Sequence, residues 1–351
     1  MYTRVMSEHH TVLYRKYRPE TFDEVYGQDQ IVKVLKGSLE TGKLGHAYLF
    51  SGPRGTGKTT MARIFARAVG CSENDIIEMD AASNRGIDDI RALRESVQSL
   101  PFDSDKKMYI IDEVHMLTKD AFNALLKTLE EPPAHVMFVL ATTELHKVLP
   151  TVISRCQSFV FNAPTTAVLK EMIQNIVTNE GYTIDAGSLE TIAMLGNGSF
   201  RDTQGVLQKL MSYSKDTAIT RDETELITGA PSLEIIHGLI TALNENDTDR
   251  ALSTIHQAQE ANIDAFIFMQ MLTYTVRNIL QIRFSKTRAT DIKAQIGEDE
   301  FAFLSELAIQ KNNINSGLLE ELLRAYAHMN SAYEKYAPLE LAILKMIGNN
   351  S

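Results

Sequence analysis

The first half of the chain alternates short apolar runs with longer segments whose apolar residues recur at helical spacing. The runs that predict buried strands cover residues 47–51, 75–80, 108–114, 136–142 and 158–162. The segments that predict helices cover residues 58–69, 86–99 and 119–131, and Pro132 and Pro133 stop the last one. Strands and helices in alternation are typical of βαβ units, so we expect an α/β domain with a parallel sheet covered by helices on both faces.

After Pro164 the pattern changes to helical periodicity alone. Residues 168–179 place their apolar side chains on one helical stripe, and residues 188–195 and 200–212 continue the all-helical pattern. Beyond a break at residues 229–231, helices are predicted at residues 233–244, 247–260, 264–284, 298–310, 316–334 and 337–347. The predicted domains are therefore an α/β domain at 1–164, a small helical domain at 165–229 and a helical C-terminal domain at 230–351.

Charge and cysteine content limit the class of protein. The 351 residues carry 35 Lys and Arg against 45 Asp and Glu, a formal net charge of −10. This balance argues against nucleic-acid binding by the whole surface but leaves room for a local basic patch. The two cysteines, Cys71 and Cys156, are too few for a disulfide framework or a four-ligand zinc site and suit a reducing compartment.

No segment of the sequence has the character of a membrane span or a secretion signal. No apolar run approaches the roughly 20 residues that a membrane span needs, and the first ten residues contain no apolar signal segment. We therefore expect a cytoplasmic protein with no membrane partner, whose first ten or so residues form a frayed tail.

A phosphate-binding loop is predicted between the first strand and the next helix. The pattern G-x-x-x-x-G-K-[ST] is matched by Gly52, Pro53, Arg54, Gly55, Thr56, Gly57, Lys58 and Thr59, followed by Thr60. Its backbone N–H groups and the helix N-terminus would form an anion cradle for ATP. Lys58 would reach the β- and γ-phosphates and Thr59 would ligate Mg²⁺. The ordinary alternative is a glycine-rich turn at a helix start.

Two acidic residues follow the third predicted strand. Asp112 would hold Mg²⁺ and Glu113 would polarise the attacking water, because ligands bind at the carboxyl edge of open α/β sheets. A solvated start of a loop is the alternative for such a pair. The sequence Asp-Glu-Val-His also permits a helicase-like interpretation of His115. An ordinary surface position explains this histidine at least as well, and we assign it no catalytic role.

With these motifs in place, the sequence resembles the AAA+ clamp-loader ATPases, and among them the γ/τ subunits of bacterial DNA polymerase III. The motifs occur in the family's order at residues 13–19, 22–28, 52–59, 112–115, 124–133, 140–143, 154–156 and 198–202. Residues 81–88 are also similar to replication factor C small subunits. The resemblance covers nearly the whole chain and implies a P-loop AAA+ domain, a helical lid and an all-α collar for oligomerisation.

The resemblance also implies roles around the nucleotide. Tyr17, Pro19 and Val25 belong to an N-terminal segment that packs over the adenine in this family. Thr143 matches the first sensor of the γ-phosphate better than Thr142 does. The alternative for both threonines is an ordinary place in a β-strand, where threonine is frequent.

Two arginines gain roles only through the resemblance. Arg155 would be the arginine finger that enters the ATP site of a neighbouring subunit, and Arg201 would contact the γ-phosphate as the second sensor. From the residues alone, a surface position is the better explanation for Arg155, and a salt bridge to Asp202 or a neighbour is the alternative for Arg201.

The sequence departs from the family at a zinc module. The γ/τ subunits usually carry four cysteines between the helix after the phosphate loop and the next strand, whereas residues 68–74 here contain Cys71 alone. We therefore predict no zinc. The sequence also ends after the collar-like helices, so we expect a short form without the τ tail.

Contacts to DNA are expected at two helix starts. Arg85, Gly86 and Ile87 begin one predicted helix, and Thr118 and Lys119 begin another. N–H groups with a basic side chain suit a phosphate and carry no base specificity. Ordinary capping with solvated charges is the alternative.

These expectations combine into one predicted function. The chain would be the ATPase subunit of a pentameric clamp loader, with copies of itself among the candidate partners, and would open a sliding clamp and load it on primer–template DNA. It would have no polymerase site of its own. The alternatives are a branch-migration or helicase-like AAA+ motor and a nucleotide-binding scaffold without hydrolysis.

Overall fold

The computed structural model describes residues 12–214, 216–296, 298–310 and 313–348. The predicted N-terminal tail lies outside these residues. The chain forms two compact units, the first containing the residues up to 176 together with 196–208, and the second containing 177–195 and the residues from 209 onward. The three predicted domains, with borders after residues 164 and 229, stay a prediction.

A five-stranded sheet forms the centre of the first unit. Its strands are β1 Ala47–Ser51, β2 Ile76–Asp80, β3 Lys107–Asp112, β4 Val136–Thr142 and β5 Gln157–Val160. They are all parallel and lie in the order β2-β3-β4-β1-β5, which confirms the predicted parallel sheet. Because the strands are parallel, the ends of β1, β3 and β4 meet at one edge, where ligands bind in folds of this kind.

Helices cover both faces of this sheet. The helices that share a core with the strands are α2 Asp29–Glu40, α3 Lys58–Val69, α4 Ile87–Val97, α5 Lys119–Glu130 and α6 Pro150–Ile153. This part of the chain also contains α1 Leu13–Lys16, α7 Thr166–Asn179 and 3-10 turns at Phe22–Glu24, Glu73–Asp75, Val114–Met116 and Leu145–Lys147. Successive strand side chains point to opposite faces. Tyr109 of β3 therefore joins one apolar core with Leu125 of α5, whereas Met108 and Ile110 join another with Phe65 of α3.

The second half of the chain is mainly helical. Its elements are β6 Thr183–Ile184, α8 Ala186–Leu195, α9 Phe200–Tyr213, β7 Ala218–Ile219, α10 Arg221–Thr228, α11 Leu233–Glu245, α12 Thr248–Glu260, α13 Ala265–Phe284, α14 Lys286–Ile296, α15 Glu298–Ile309, α16 Ser316–Met329 and α17 Ala337–Gly348. One apolar core joins residues of α11, α12, α13, α15, α16 and α17.

The all-helical expectation after Pro164 is wrong in one place. Strands β6 and β7 form a parallel pair with two residues each. Alternation over two residues is too short to distinguish a strand from a loop in the sequence.

No single helix in the described ranges is both long and apolar enough to cross a membrane, although the bent pair of α10 and α11 meets the requirement on length and composition when taken together.

Candidate nucleotide-binding site

The loop between β1 and α3 depends on glycine at two positions. Gly52 has φ +146° and Gly55 has φ +71°, which lie in the region that L-residues avoid. A Cβ atom would collide with the carbonyl oxygen of Phe161 at Gly52 and with the hydroxyl of Ser199 at Gly55. The close approach of these neighbours explains why the loop needs both glycines, and the loop leads directly into the N-terminus of α3.

Lys58 lies folded into this loop. Its Nζ donates hydrogen bonds to the carbonyl oxygens of Gly52 at 2.8 Å and Pro53 at 2.7 Å, and only 6% of the residue is exposed. Burial lowers the pKa of the Lys58 ammonium, Glu113 and Asp112 act to raise it, and Arg201 acts to lower it. A polyphosphate beside Lys58 would favour the charged form of the lysine.

Two side chains with oxygen atoms that can ligate a metal ion meet at the carboxyl edge of the sheet. The Thr59 hydroxyl donates to Asp112 Oδ2 at 2.7 Å, and Asp112 Oδ1 accepts from the Glu113 backbone N–H at 3.0 Å. Hydroxyl and carboxylate oxygens are ligands that Mg²⁺ prefers, usually alongside phosphate oxygens and water. Thr59 and Asp112 therefore fit a magnesium ion that would also contact the nucleotide.

Glu113 has a strained backbone and a fixed side chain. Its φ is +47°, which a non-glycine residue adopts at a cost of about 1–3 kcal/mol. Its Oε2 accepts hydrogen bonds from the Thr143 hydroxyl at 2.9 Å and from the Thr143 N–H at 3.2 Å. The predicted sensor and the predicted catalytic carboxylate are thus in direct contact.

The alternative of a surface position for His115 is wrong. Its side chain is only 6% exposed, and its Nδ1 lies 3.0 Å from the Thr142 hydroxyl and 3.4 Å from Glu113 Oε2. Its Nε2 lies 3.1 Å from a carboxylate oxygen of Glu144. The turn that follows β3 directs the ring toward the end of β4, which the sequence spacing does not reveal.

One cavity collects the predicted residues from separate segments. Its lining includes the predicted residues Tyr17, Pro19, Val25, Arg54, Gly55, Thr56, Gly57, Lys58, Thr59, Thr60, Asp112, Glu113 and Arg201. Gly52, Pro53 and Thr143 are not among the lining residues; the first two supply carbonyls to Lys58 and the third holds Glu113.

Sequence reasoning missed several lining residues. They are Tyr14, Arg18, Tyr26, Gln28, Met61, Phe161, Met172, Phe200 and Gln204. Apolar and aromatic members of this set give the cavity a wall suited to a flat base. Tyr14, Arg18 and Gln28 lie within the motifs already noted, so their closeness to Tyr17 and Pro19 was the available signal. Met172 and Gln204 carried none.

Arg201 forms no salt bridge with Asp202 or any other acid in the part of the chain that the structure describes. Its guanidinium carbon lies 5.7 Å from the ring centroid of Tyr14, within the range of a cation–π contact. The predicted alternative of a pair with Asp202 is therefore wrong. Arg201 instead directs an uncompensated positive charge to the cavity wall.

Arg155 does not line the cavity. Its Nη2 lies 2.6 Å from Glu130 Oε1, its Nη1 donates to the carbonyl of Thr151 at 2.6 Å, and 33% of its side chain is exposed. The position is compatible with a role toward another molecule, and the pair with Glu130 must open for such a role.

The residues predicted to contact DNA lie at two neighbouring helix starts. Gly86 is the N-cap of α4 and Thr118 is the N-cap of α5, and the Thr118 N–H donates to the Arg85 carbonyl at 3.0 Å. Arg85 and Lys119 are exposed. The fold thus joins two segments that are far apart in the sequence.

The two cysteines occupy different surroundings. Cys71 is buried in the apolar core beneath α3, and Cys156 packs against the core beneath α5. Burial raises the pKa of both thiols to about 11. Within the described ranges, no three side chains of His, Cys, Asp or Glu gather where they could hold a metal ion.

Comparisons with known proteins show which proteins the chain is similar to. The family described as DNA polymerase III, delta subunit, matches residues 27–85 and 74–165, and the family described as DNA polymerase III subunits gamma and tau domain III matches residues 219–351. A solved structure, the Thermotoga maritima RuvB Holliday junction branch migration motor, is 22% identical over 65% of this chain and 79% of its own, with a TM-score of 0.52. That likeness shows the fold.

The sequence relatives are more specific. The DNA polymerase III subunit tau of Bacillus subtilis is 41% identical over 82% of this chain and 56% of its own length. The gamma/tau subunit of Mycobacterium tuberculosis H37Rv is 35% identical over 77% of this chain and 51% of its own. The gamma subunit of Buchnera aphidicola is 35% identical over 72% of this chain and 75% of its own. The chain thus spans about half the length of the first two relatives.

The fold and the glycine-rich loop between β1 and α3 define a P-loop α/β protein with a parallel five-stranded sheet. Within that class, the chain belongs to the DNA polymerase III gamma/tau family.

Proposed function

We propose that the chain is an ATPase subunit of a DNA polymerase III clamp loader. The observation that carries this proposal is the convergence of Lys58, Thr59, Asp112 and Glu113 on one cavity in a chain of the gamma/tau family. A branch-migration motor has the same fold, but the sequence relatives favour the clamp loader. The set of lysine, hydroxyl and two acids argues against a scaffold without hydrolysis.

ATP would bind with its phosphates in the loop. The backbone N–H groups of the loop and Lys58 would hold the β- and γ-phosphates, and Tyr17, Pro19 and Val25 would pack against the base. Thr59 and Asp112 would hold Mg²⁺, which neutralises charge on the phosphate oxygens when bound.

Hydrolysis would require Glu113 to leave Thr143. A water oxygen attacks the γ-phosphorus, the bond from that phosphorus to the bridging oxygen breaks, and the Glu113 carboxylate orients the water and receives its proton. Thr143 would then be released to meet the γ-phosphate. The 2.9 Å hydrogen bond between Thr143 and Glu113 supports such an exchange of partners.

The site would be completed by another subunit. Arg155 lies away from its own cavity and is partly exposed, which suits insertion into a neighbour's ATP site. An arginine finger of this kind is worth about 10³–10⁵ in rate. Insertion would break the salt bridge between Arg155 and Glu130. This loss costs little free energy, because both side chains are partly exposed and such pairs are weak.

DNA and the sliding clamp would complete the cycle. ATP would order a pentamer held by the C-terminal helices, and the assembly would open the clamp and accept primer–template DNA. The adjacent starts of α4 and α5, with Arg85 and Lys119, would contact backbone phosphates without base specificity. Binding should therefore weaken as salt rises.

The test is steady-state ATP turnover of the chain with its partner subunits, with and without a sliding clamp and primed DNA, together with the native mass of the assembly. Turnover stimulated by clamp and DNA in an assembly of five subunits supports the proposal. Unstimulated turnover in a closed hexamer would support the branch-migration motor instead.

A further inference from the structure

A second cavity of about 790 Å³ lies beside the proposed nucleotide cavity, and all of its lining belongs to the first unit. Its lining contains the arginines Arg15, Arg18, Arg54, Arg63, Arg67 and Arg201 but only one acid, Glu20. The chain as a whole has a net charge of −10. This concentration of positive charge therefore opposes the general charge of the protein, and the proposed hydrolysis does not explain it.

Two of these arginines form salt bridges with described residues. Arg63 pairs with Glu78, and Arg67 pairs with Glu73 at 2.6 Å. The structure shows no salt bridge for Arg15, Arg18, Arg54 or Arg201 among the residues it describes. Four of the six guanidiniums thus line the cavity without a salt bridge to any residue that the structure describes.

Like charges crowd around Arg18. Burial lowers the pKa of Arg18, and the charges of Arg63, Arg201 and Arg15 lower it further, against the opposing effect of Glu78. The Tyr14 ring helps to fix two of the neighbours, since the guanidinium carbons of Arg15 and Arg201 lie 5.9 and 5.7 Å from its centroid. An anion would relieve this repulsion.

The arrangement favours a compact anion. The arginines come from separate segments, including α1, the phosphate loop, α3 and α9, and converge on one cavity. A row of basic residues along a surface would instead follow a nucleic-acid backbone. Guanidinium groups bind phosphate through paired hydrogen bonds, and a diphosphate group carries several negative charges at neutral pH. One diphosphate would therefore offset most of the charge of the four guanidiniums that have no salt bridge.

We propose that this arginine cavity is a second anion site that binds a diphosphate group, supplied by inorganic pyrophosphate or by a nucleotide. The two cavities share Arg18, Arg54 and Arg201. An anion in the second site uses the same positive charges that attract a triphosphate to the first. Occupancy of each site should therefore weaken binding at the other, by the same factor in both directions.

Calorimetric titration of the full chain with sodium pyrophosphate tests this. The Lys58→Ala background removes the phosphate-loop lysine, so that binding reports on the second site. The double variant Arg15→Gln/Arg67→Gln, added to this background, changes residues that line only the second cavity. Arg250→Gln, an exposed arginine paired with Glu245, is the matched control.

We expect one pyrophosphate per chain in the Lys58→Ala protein, an affinity loss of about tenfold or more in the Arg15→Gln/Arg67→Gln protein, and no change with Arg250→Gln. If ADP also binds, and its affinity also falls in the Arg15→Gln/Arg67→Gln protein, the site takes the diphosphate group of a nucleotide. If only pyrophosphate binds in this way, the site takes the free anion. In proteins that keep Lys58, pyrophosphate should weaken ATP binding less when Arg15 and Arg67 are both changed to Gln.

Absence of pyrophosphate binding in the folded Lys58→Ala protein, checked by circular dichroism, would overturn the second site. So would binding that the two arginine changes leave intact, or a duplex oligonucleotide that binds through these arginines while pyrophosphate does not. If the double variant is unfolded, Arg15→Gln alone, at an exposed position, replaces it. ATP binding by the wild-type protein tests the proposed function separately.

Discussion

At the scale of single residues, the contacts of Glu113 and Lys58 decide what the cavity can do. Glu113 combines a left-handed backbone with hydrogen bonds from Thr143, and Lys58 is bound to carbonyls of its own loop. The proposed function requires both side chains to exchange these partners, Lys58 for phosphate oxygens and Glu113 for a water. These hydrogen bonds must therefore open when a triphosphate binds.

The change Lys58→Ala should lower ATP affinity by at least about 30-fold, because it removes a buried cation that would pair with the phosphates. Fluorescent ATP titration measures this. Lys147→Ala, which changes a surface lysine paired with Glu144, is the control. Unchanged affinity in the Lys58→Ala protein would refute the phosphate-loop assignment.

The change Glu113→Gln should leave ATP affinity within a few-fold of wild type and lower turnover by about 10²–10⁴, because an amide cannot take a proton from water. Single-turnover hydrolysis of radiolabelled ATP measures the chemical step. A normal rate would remove Glu113 from the mechanism. Asp89→Asn, whose carboxylate caps α4, should leave both quantities unchanged.

At the scale of elements, the strength of the local pattern decided what the sequence could predict. Strands β1 and β4 and helix α3 lie at the predicted residues, because continuous apolar runs and a bounded amphipathic segment are unambiguous. Helices α2, α10 and α14 were missed. The predicted helix at residues 316–334 ends at Met329, since side-chain periodicity alone does not fix where a helix stops.

The loop between α4 and β3 depends on one buried carboxylate. Asp75 accepts hydrogen bonds from the N–H groups of Phe102, Asp103 and Ser104 at 2.6, 2.9 and 3.0 Å, and from the hydroxyls of Ser104 and Ser72 at 2.7 and 2.9 Å. Burial acts to raise the pKa of Asp75, but these hydrogen bonds outweigh burial and hold the pKa well below its usual range.

The ionised Asp75 should therefore stabilise the fold at neutral pH, and this contribution should be lost as the pH falls below about 4, where the unfolded chain takes up the proton first. The change Asp75→Asn should cost about 2–3 kcal/mol at pH 7 and less at pH 3. Urea unfolding at both pH values measures the difference. An equal cost at both would show that the charge plays no part.

At the scale of the whole molecule, the sequence predicted those residues of the candidate site that belong to recognisable motifs. Lys58 and Thr59 were predicted because the pattern G-x-x-x-x-G-K-[ST] fixes their place, and Asp112 and Glu113 were predicted because they follow a predicted strand. Met172 and Gln204 were not found, because they join the cavity through the fold and share no pattern with it. The proposed contribution of Arg155 to a neighbouring subunit likewise cannot be read from the geometry of one chain.

The most direct test of the account is the effect of Arg155→Ala on ATP turnover in the assembled complex with clamp and primed DNA, alongside ATP affinity. Arg250→Gln is the matched control. We predict unchanged ATP affinity and a fall in stimulated turnover of about 10³-fold or more in sites that receive this arginine. Full turnover in the Arg155→Ala complex would contradict hydrolysis completed by a neighbouring subunit.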